Sequence, residues 1–323
     1  LAVTRTVTVD VAGASVGGAA RFGAELYRYL ARTGREDVAV IGTRRRVGPG
    51  WLLAREMART AGSRRVALNN VSFVSPGGER WTLLRNALHF LNGAEAASLD
   101  PALAAAMHRA AAVVRLSARR ADVLVVPSTA MADRVTRILP GVRRRIVVRP
   151  HPVSADSVPQ LPRDPAILCP VLFASYKRMD ERLGELLVAI REYGDPAVRL
   201  RVTASPADLP ASFAADPAIE FVGRVDQQDL RRVWARSRAI YFPTGLESFG
   251  YPLAEARVCG RPVIALATTQ NREIAGPALC GYTTGDPGSL LQAVTLALTT
   301  EVAPDPAPFD PDAYFNWMLG LPR

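Results

Sequence analysis

Short apolar runs alternate with longer amphipathic ones along this chain. Val7, Val9 and Val11 alternate through residues 6–11 as a first strand does, and Gly13, Gly17 and Gly18 follow as a loop. Phe22, Leu26 and Leu30 then recur every four residues, which predicts a helix with one apolar face, ended by Gly34. The same patterns predict strands over 37–41, 65–68, 82–84, 122–127 and 145–148, and helices around 51–60, 101–119 and 130–139. Residues 150–165 are rich in proline and lack periodicity, as an interdomain linker does. Beyond them the pattern restarts, with strands over 167–174, 198–203, 219–222 and 239–242 and helices over 180–193 and 228–236. A helix bracketed by Pro252 and Gly260 leads into a strand over 261–265, residues 289–298 are helical, 301–311 are loose, and 313–319 form a short closing helix. Strands alternating with helices on both sides of a linker predict an α/β chain with two parallel sheets wrapped by helices. The expected domains are 1–150 and 166–305, joined by the linker 151–165 and followed by a terminal segment 306–323.

Composition narrows the class. A chain of 323 residues, 49% of them hydrophobic, is long enough for two cores. Its apolar runs are shorter than the roughly 18 residues that cross a bilayer, and its start lacks a signal-peptide pattern, so a soluble, cytoplasmic protein is expected. Cys169, Cys259 and Cys280 lie in apolar segments without metal-ligand spacing, which fits buried thiols, and with His89, His108 and His151 as the only histidines no metal site is expected. The net charge of +10 invites a nucleic-acid partner. The basic residues are scattered, however, and the runs Arg44–Arg46 and Arg143–Arg145 are short and lack interleaved aromatics, so no nucleic-acid partner is expected. Attraction to an anionic membrane, as peripheral association, remains compatible with the charge.

The chemistry concentrates in residues 239–276. Here Glu247 falls in a loop after a strand, and Glu255 in what reads as the first turn of the next helix, where open backbone N–H groups favour phosphate. A carboxylate at such a place accepts hydrogen bonds from vicinal hydroxyls, and Ser248, Phe249 and Gly250 bring further N–H groups close. Phosphate together with sugar hydroxyls means a nucleotide sugar. Either glutamate taken alone equally fits a side chain that complements the helix dipole.

The run Pro243, Thr244, Glu247, Ser248, Phe249, Gly250, Pro252, Glu255, Ala256, Gly260, Pro262, Val263, Ile264 resembles the donor-binding signature of glycosyltransferase family 4, also called glycosyl transferases group 1. Tyr251 stands where that pattern usually has Leu. The resemblance implies the GT-B fold: two Rossmann-like domains with parallel sheets facing across a cleft, the first for the acceptor and the second for the donor. It implies that Glu255 binds the ribose, Glu247 the donor sugar, and the amides of Ser248 to Gly250 the sugar or phosphate, with Thr244 at the same edge. It also implies that Lys177, the only lysine, and its neighbour Arg178 clamp the diphosphate, although the family usually separates this pair. Gly223, Arg224 and Val225 resemble the turn whose backbone reads the base. His89 resembles a cleft-facing histidine at a strand end, equally readable as a buried structural residue, and Gly17 and Gly18 a loop facing the donor phosphates. The terminal helix commonly returns to the first domain in such enzymes.

The expected activity is a retaining transfer of a hexose-type sugar from a uridine or guanosine diphosphate sugar to an acceptor hydroxyl, with no cofactor and no metal. The expected partners are that donor and a glycan, a lipid-linked sugar or a small natural product as acceptor. The alternatives are a GT-B sugar-nucleotide epimerase or phosphorylase, and a noncatalytic basic binder.

Overall fold

The computed structural model describes residues 7–15, 17–57, 63–155, 161–170, 177–223, 225 and 227–320. The chain divides into two compact units: the first is Leu1–Val153 with Leu246–Phe249 and Phe309–Arg323, the second Ser154–Gly245 with Gly250–Pro308. Of the sequence readings, residues 58–60, 156–160 and 171–174 and Arg224 lie outside the described residues.

The first unit runs β1 (Val7–Asp10), α1 (Gly17–Thr33), β2 (Val38–Ile41), α2 (Pro49–Met57), β3 (Arg64–Ala67), β4 (Glu79–Leu83), α3 (Gly93–Ala97), α4 (Pro101–Ala118), β5 (Val123–Val126), α5 (Thr129–Ile138) and β6 (Ile146–Val148). The strands form one parallel sheet in the order β2-β1-β3-β4-β5-β6. Central parallel strands are covered on both faces: all four residues of β1 are buried although Thr8 and Asp10 are polar, and β5 reads as a continuous apolar run. Phe22, Leu26 and Tyr29 are the buried stripe of α1. That stripe meets the terminal helix Pro311–Leu319, where the Tyr29 hydroxyl donates to Asn316 Oδ1 at 2.6 Å and Phe22 lies edge-on to Phe315 at 5.7 Å.

The second unit runs β7 (Asp164–Cys169), α6 (Met179–Tyr193), β8 (Arg199–Val202), α7 (Ala211–Ala214), β9 (Ile219–Phe221), α8 (Gln227–Arg236), β10 (Ser237–Phe242), α9 (Tyr251–Val258), β11 (Val263–Leu266), α10 (Thr269–Ala275), β12 (Leu279–Tyr282) and α11 (Pro287–Thr299). Its sheet is parallel in the order β12-β11-β10-β7-β8-β9. Leu183 and Leu187 of α6 and Leu290 of α11 pack with Leu200, Tyr241 and Ile264 in its core. Among the described residues no helix is long and apolar enough to cross a membrane.

The structure adds elements that periodicity did not predict. β12 has four residues with Gly281 inside it, and α10 is capped by Thr268, whose hydroxyl accepts the Asn271 N–H at 3.1 Å. Two glycines expected in a loop are helical instead, because α1 starts at Gly17. Gly17 with φ of 56° and Gly18 therefore form its first turn.

After α9 the chain turns at Gly260, with φ of 60°, where a Cβ would lie 2.5 Å from the Val302 carbonyl oxygen. Gly260→Ala is therefore expected to lower stability by about 1–3 kcal/mol, seen as a lower urea midpoint at unchanged slope. An unchanged midpoint would show that the segment at Val302 gives way freely.

Candidate functional site

Strand order in the second sheet reverses at its centre: β7, β8 and β9 step one way, β10, β11 and β12 the other. Connections leaving β7 and β10 thus diverge, and ligands of open parallel sheets bind at such a point, outside the carboxyl ends of the strands. Thr244 follows β10 and is buried. Lys177 and Arg178 precede α6 on the connection from β7. Burial pushes the Cys169 thiol at the end of β7 up to about 12, and the charge of half-buried Lys177 opposes that shift. Arg178 has φ of 48°, is exposed, and gives its Nε to Glu181 Oε1 at 3.0 Å. An exposed pair three residues apart is worth little, so this guanidinium is readily redirected. At the end of β9, the Gly223 N–H donates to the Ala204 carbonyl at 3.1 Å and Val225 is partly exposed.

Gly250 caps α9 with φ of 79° and no side-chain hydrogen bond. A Cβ there would come within 2.9 Å of Leu253 Cδ1 and 3.1 Å of Phe242 Cε1, so only glycine closes this turn. Glu255 is not in the first turn, contrary to the sequence reading. The helix starts at Tyr251, one residue before Pro252, because a missing N–H is tolerated anywhere in the first turn, and Glu255 becomes the fifth helical residue. The first turn then holds no acidic side chain to offset the positive end of the dipole. Half-buried Glu255 lies near Cys259, whose thiol is pushed up to about 12 by burial and then by this carboxylate.

In the first unit the order reverses between β1 and β3. Gly17 and Gly18 are exposed in the first turn of α1, after β1. Residues 246–249 also belong to this unit. The Ser248 hydroxyl donates to the Arg85 carbonyl at 2.5 Å, and the Ser248 carbonyl accepts from the Ser128 hydroxyl at 3.0 Å. Phe249 is buried, its ring 4.9 Å from His151 and 6.0 Å from Phe309, while Glu247 is half-buried. His89 does not end a strand. β4 stops at Leu83, and Asn86, whose side chain accepts the Leu88 N–H, caps a short 3-10 turn Ala87–Phe90 that carries the histidine. Its carbonyl accepts from Arg115 Nε at 2.8 Å, and its Nδ1 has no hydrogen-bond partner among the described residues. Burial, then the Arg115 charge, lowers the imidazole pKa to about 4. A neutral ring cannot serve as an acid at neutral pH.

Sequence reasoning missed Asp10, Arg55 and Asn69, a buried cluster at the ends of β1 and β3. The available signal was an aspartate closing a strand whose other polar residue is only Thr8. Among the described residues no three His, Cys, Asp or Glu side chains group as a metal site would, and the three cysteines are free and buried.

Below the ordinary value of 6.5 the unfolded chain takes up a proton that folded His89 refuses down to about 4. Its contribution to stability is therefore complete above pH 6.5 and is lost as the pH falls toward 4. A His89→Leu variant should lose less stability than wild type across that window in pH-dependent urea titrations. Parallel curves would mean the folded ring titrates normally.

Residues 167–300 match the family model described as "Glycosyl transferases group 1". A D-inositol 3-phosphate glycosyltransferase of Saccharomonospora viridis is 27% identical over 195 residues, 54% of this chain and 45% of that protein. The chain spans less than half the length of the curated relatives it matches. Among solved structures, WaaG, a glycosyltransferase involved in lipopolysaccharide biosynthesis, has a TM-score of 0.65 at 13% identity, covering 97% of this chain and 100% of that one. A sucrose-phosphate synthase from Thermosynechococcus elongatus has a TM-score of 0.62 at 15% identity, covering 98% and 96%. With two parallel six-stranded sheets the protein has the GT-B fold, and its residues 167–300 are similar to the group 1 glycosyl transferases.

Proposed function

We propose that this protein is a retaining glycosyltransferase that moves a hexose-type sugar from a uridine or guanosine diphosphate sugar to an acceptor hydroxyl, without a metal ion. The observation that carries the reading is the content of the second unit's switch point: Lys177 and Arg178 after β7, Thr244 after β10, and the first turn of α9 with no carboxylate in it. Two cations and a helix N-terminus suit a diphosphate, and Glu255, one turn further in, suits the ribose hydroxyls. Val225, with Arg224, is assigned to the base. Glu247, eight positions before Glu255, is assigned to the donor sugar, with the amides of Ser248, Phe249 and Gly250. Gly17, Gly18 and the neutral His89 are assigned to the first unit's share of the reaction.

In the reaction the acceptor oxygen bonds to the anomeric carbon as the bond to the diphosphate breaks, and the acceptor's proton passes to the departing phosphate oxygen on the same face. Negative charge grows on that oxygen, and Lys177 is the group proposed to meet it. The acceptor is a glycan, a lipid-linked sugar or a small natural product. Peripheral membrane association fits the exposed Arg44, Arg45 and Arg46 followed on α2 by Leu53 and Met57, which are 63% and 73% exposed.

A thermal-shift panel of uridine, guanosine and thymidine diphosphate sugars tests the donor. Stabilisation by one of them, with nucleotide diphosphate released only when an acceptor alcohol is present, supports transfer. Conversion of the donor to its epimer with no net release of nucleotide diphosphate points to an epimerase, formation of a sugar 1-phosphate from a glycan and inorganic phosphate points to a phosphorylase, and indifference to every nucleotide sugar ends the reading. Glu255→Ala should weaken the nucleotide diphosphate and its sugar conjugate alike, by about tenfold to a hundredfold, in calorimetric titration. Unchanged nucleotide affinity would remove Glu255 from the site. Lys177→Ala and Arg178→Ala should each lower kcat, the larger loss falling on Lys177 as the group proposed to meet the charge on the leaving oxygen. Equal turnover of both variants and wild type would move the clamp elsewhere.

A further inference from the structure

The switch point of the first unit lies between the ends of β1 and β3, and one carboxylate ties those ends together. We propose that Asp10 is a positioning residue for the transfer reaction, holding the glycine turn after β1 and, through Asn69, Asn70 and Arg85, the seat of Ser248. This rests on the reading above, in which Ser248 takes part together with Gly17 and Gly18, which open the helix that this turn leads into.

The Asp10 side chain is wholly buried and accepts from the Ala12 N–H at 3.0 Å, Arg55 Nη1 at 2.7 Å, Asn69 Nδ2 at 2.7 Å and the Trp51 indole at 3.2 Å. These donors come from three segments: the turn itself, α2, and the chain after β3. Among the described ion pairs, Asp10–Arg55 is the one in which neither side chain exceeds 1% exposure. Such a pair adds little net stability over an apolar filling of the same volume, and what it supplies here is a single permitted arrangement. Arg55 extends it, with Nη2 donating to the carbonyls of Val71 at 3.0 Å and Ser72 at 2.7 Å and its guanidinium 4.5 Å over the Phe73 ring.

The chain of bonds continues beyond Asn69. Asn70, held at φ of 68°, accepts the Arg85 N–H at 2.6 Å, and the Arg85 carbonyl accepts from the Ser248 hydroxyl at 2.5 Å. The glycine turn and Ser248 are thus fixed from one buried charge. The neighbouring strand makes room for that charge: at Gly42, just after β2, a Cβ would sit 2.5 Å from Asp10 Oδ1 and 2.9 Å from the Ala12 nitrogen.

The test uses the whole chain and two variants that keep the Asp10–Arg55 pair. Trp51→Phe removes one donor, and Gly42→Ala crowds the carboxylate and Ala12. Asp10→Asn is unsuitable, because stranding the buried Arg55 charge would unfold the protein for unrelated reasons. Amide hydrogen exchange at residues 12–15 and at Ser248 should quicken by about tenfold while β5 exchanges as in wild type. With saturating substrates, kcat should fall by about tenfold or more, because small misplacements are costly in transfer, while nucleotide diphosphate affinity stays within about twofold. Unchanged exchange in both variants would show that Asp10 does not hold the turn. Faster exchange with wild-type kcat, or equal losses of kcat and nucleotide affinity, would overturn the positioning role. Failure of the wild type to transfer sugar from any donor would instead sink the enzymatic reading and this role with it, while the exchange data would still report the anchoring.

Discussion

A parallel sheet delivers the carboxyl ends of all its strands to one edge, and both units of this protein are organised by that constraint. Within each sheet the strand order reverses once, so two adjacent strands send their connections in opposite directions and leave a place where polar groups gather without disrupting the core. In the second unit that place carries a lysine and an arginine on one connection, just before α6. In the first unit it carries charge locked inside the fold, the carboxylate of Asp10 against Arg55. The same topology therefore leaves two cations ahead of a helix in one case and a buried ion pair that holds backbone in the other.

Cations are treated in two ways throughout. Most arginines settle on carbonyls and carboxylates of their own unit, as Arg134 does on Glu95 and Arg257 on Asp305. Fork-shaped guanidinium suits such fixed pairs, whereas an ammonium on a flexible stem suits charge that changes during a reaction. The only lysine, Lys177, stands just before α6 on the connection from β7.

Much of the fold was legible because buried parallel strands and amphipathic helices leave periodic traces, as in β1 with α1 and in β10 with α9. β12 left none, being four residues long with a glycine inside, and its strand character comes from pairing with β11 rather than from its own side chains. Proline marks a helix start only to within a turn, and the shift of one residue here moves Glu255 out of the first turn. The apolar residues around His89 suggested a strand, but Asn86 closes a turn there and the neighbouring Arg115 fixes the carbonyl. The Asp10 cluster was illegible for another reason. Its members stand at positions 10, 51, 55 and 69, and only the folded sheet brings such distant residues together.

The four residues Leu246–Phe249 are completed by the first unit although the second unit flanks them in sequence. Modularity is limited as a result. A chimera that exchanged the second unit at a single junction would import a foreign 246–249 into the first, where the bonds of Ser248 to Arg85 and Ser128 and the packing of Phe249 on His151 would have to be rebuilt. Recombination among such proteins would conserve function when this tetrapeptide travels with residues 1–153, so inheritance of the signature is divided between two partners in a way that a linear domain map conceals.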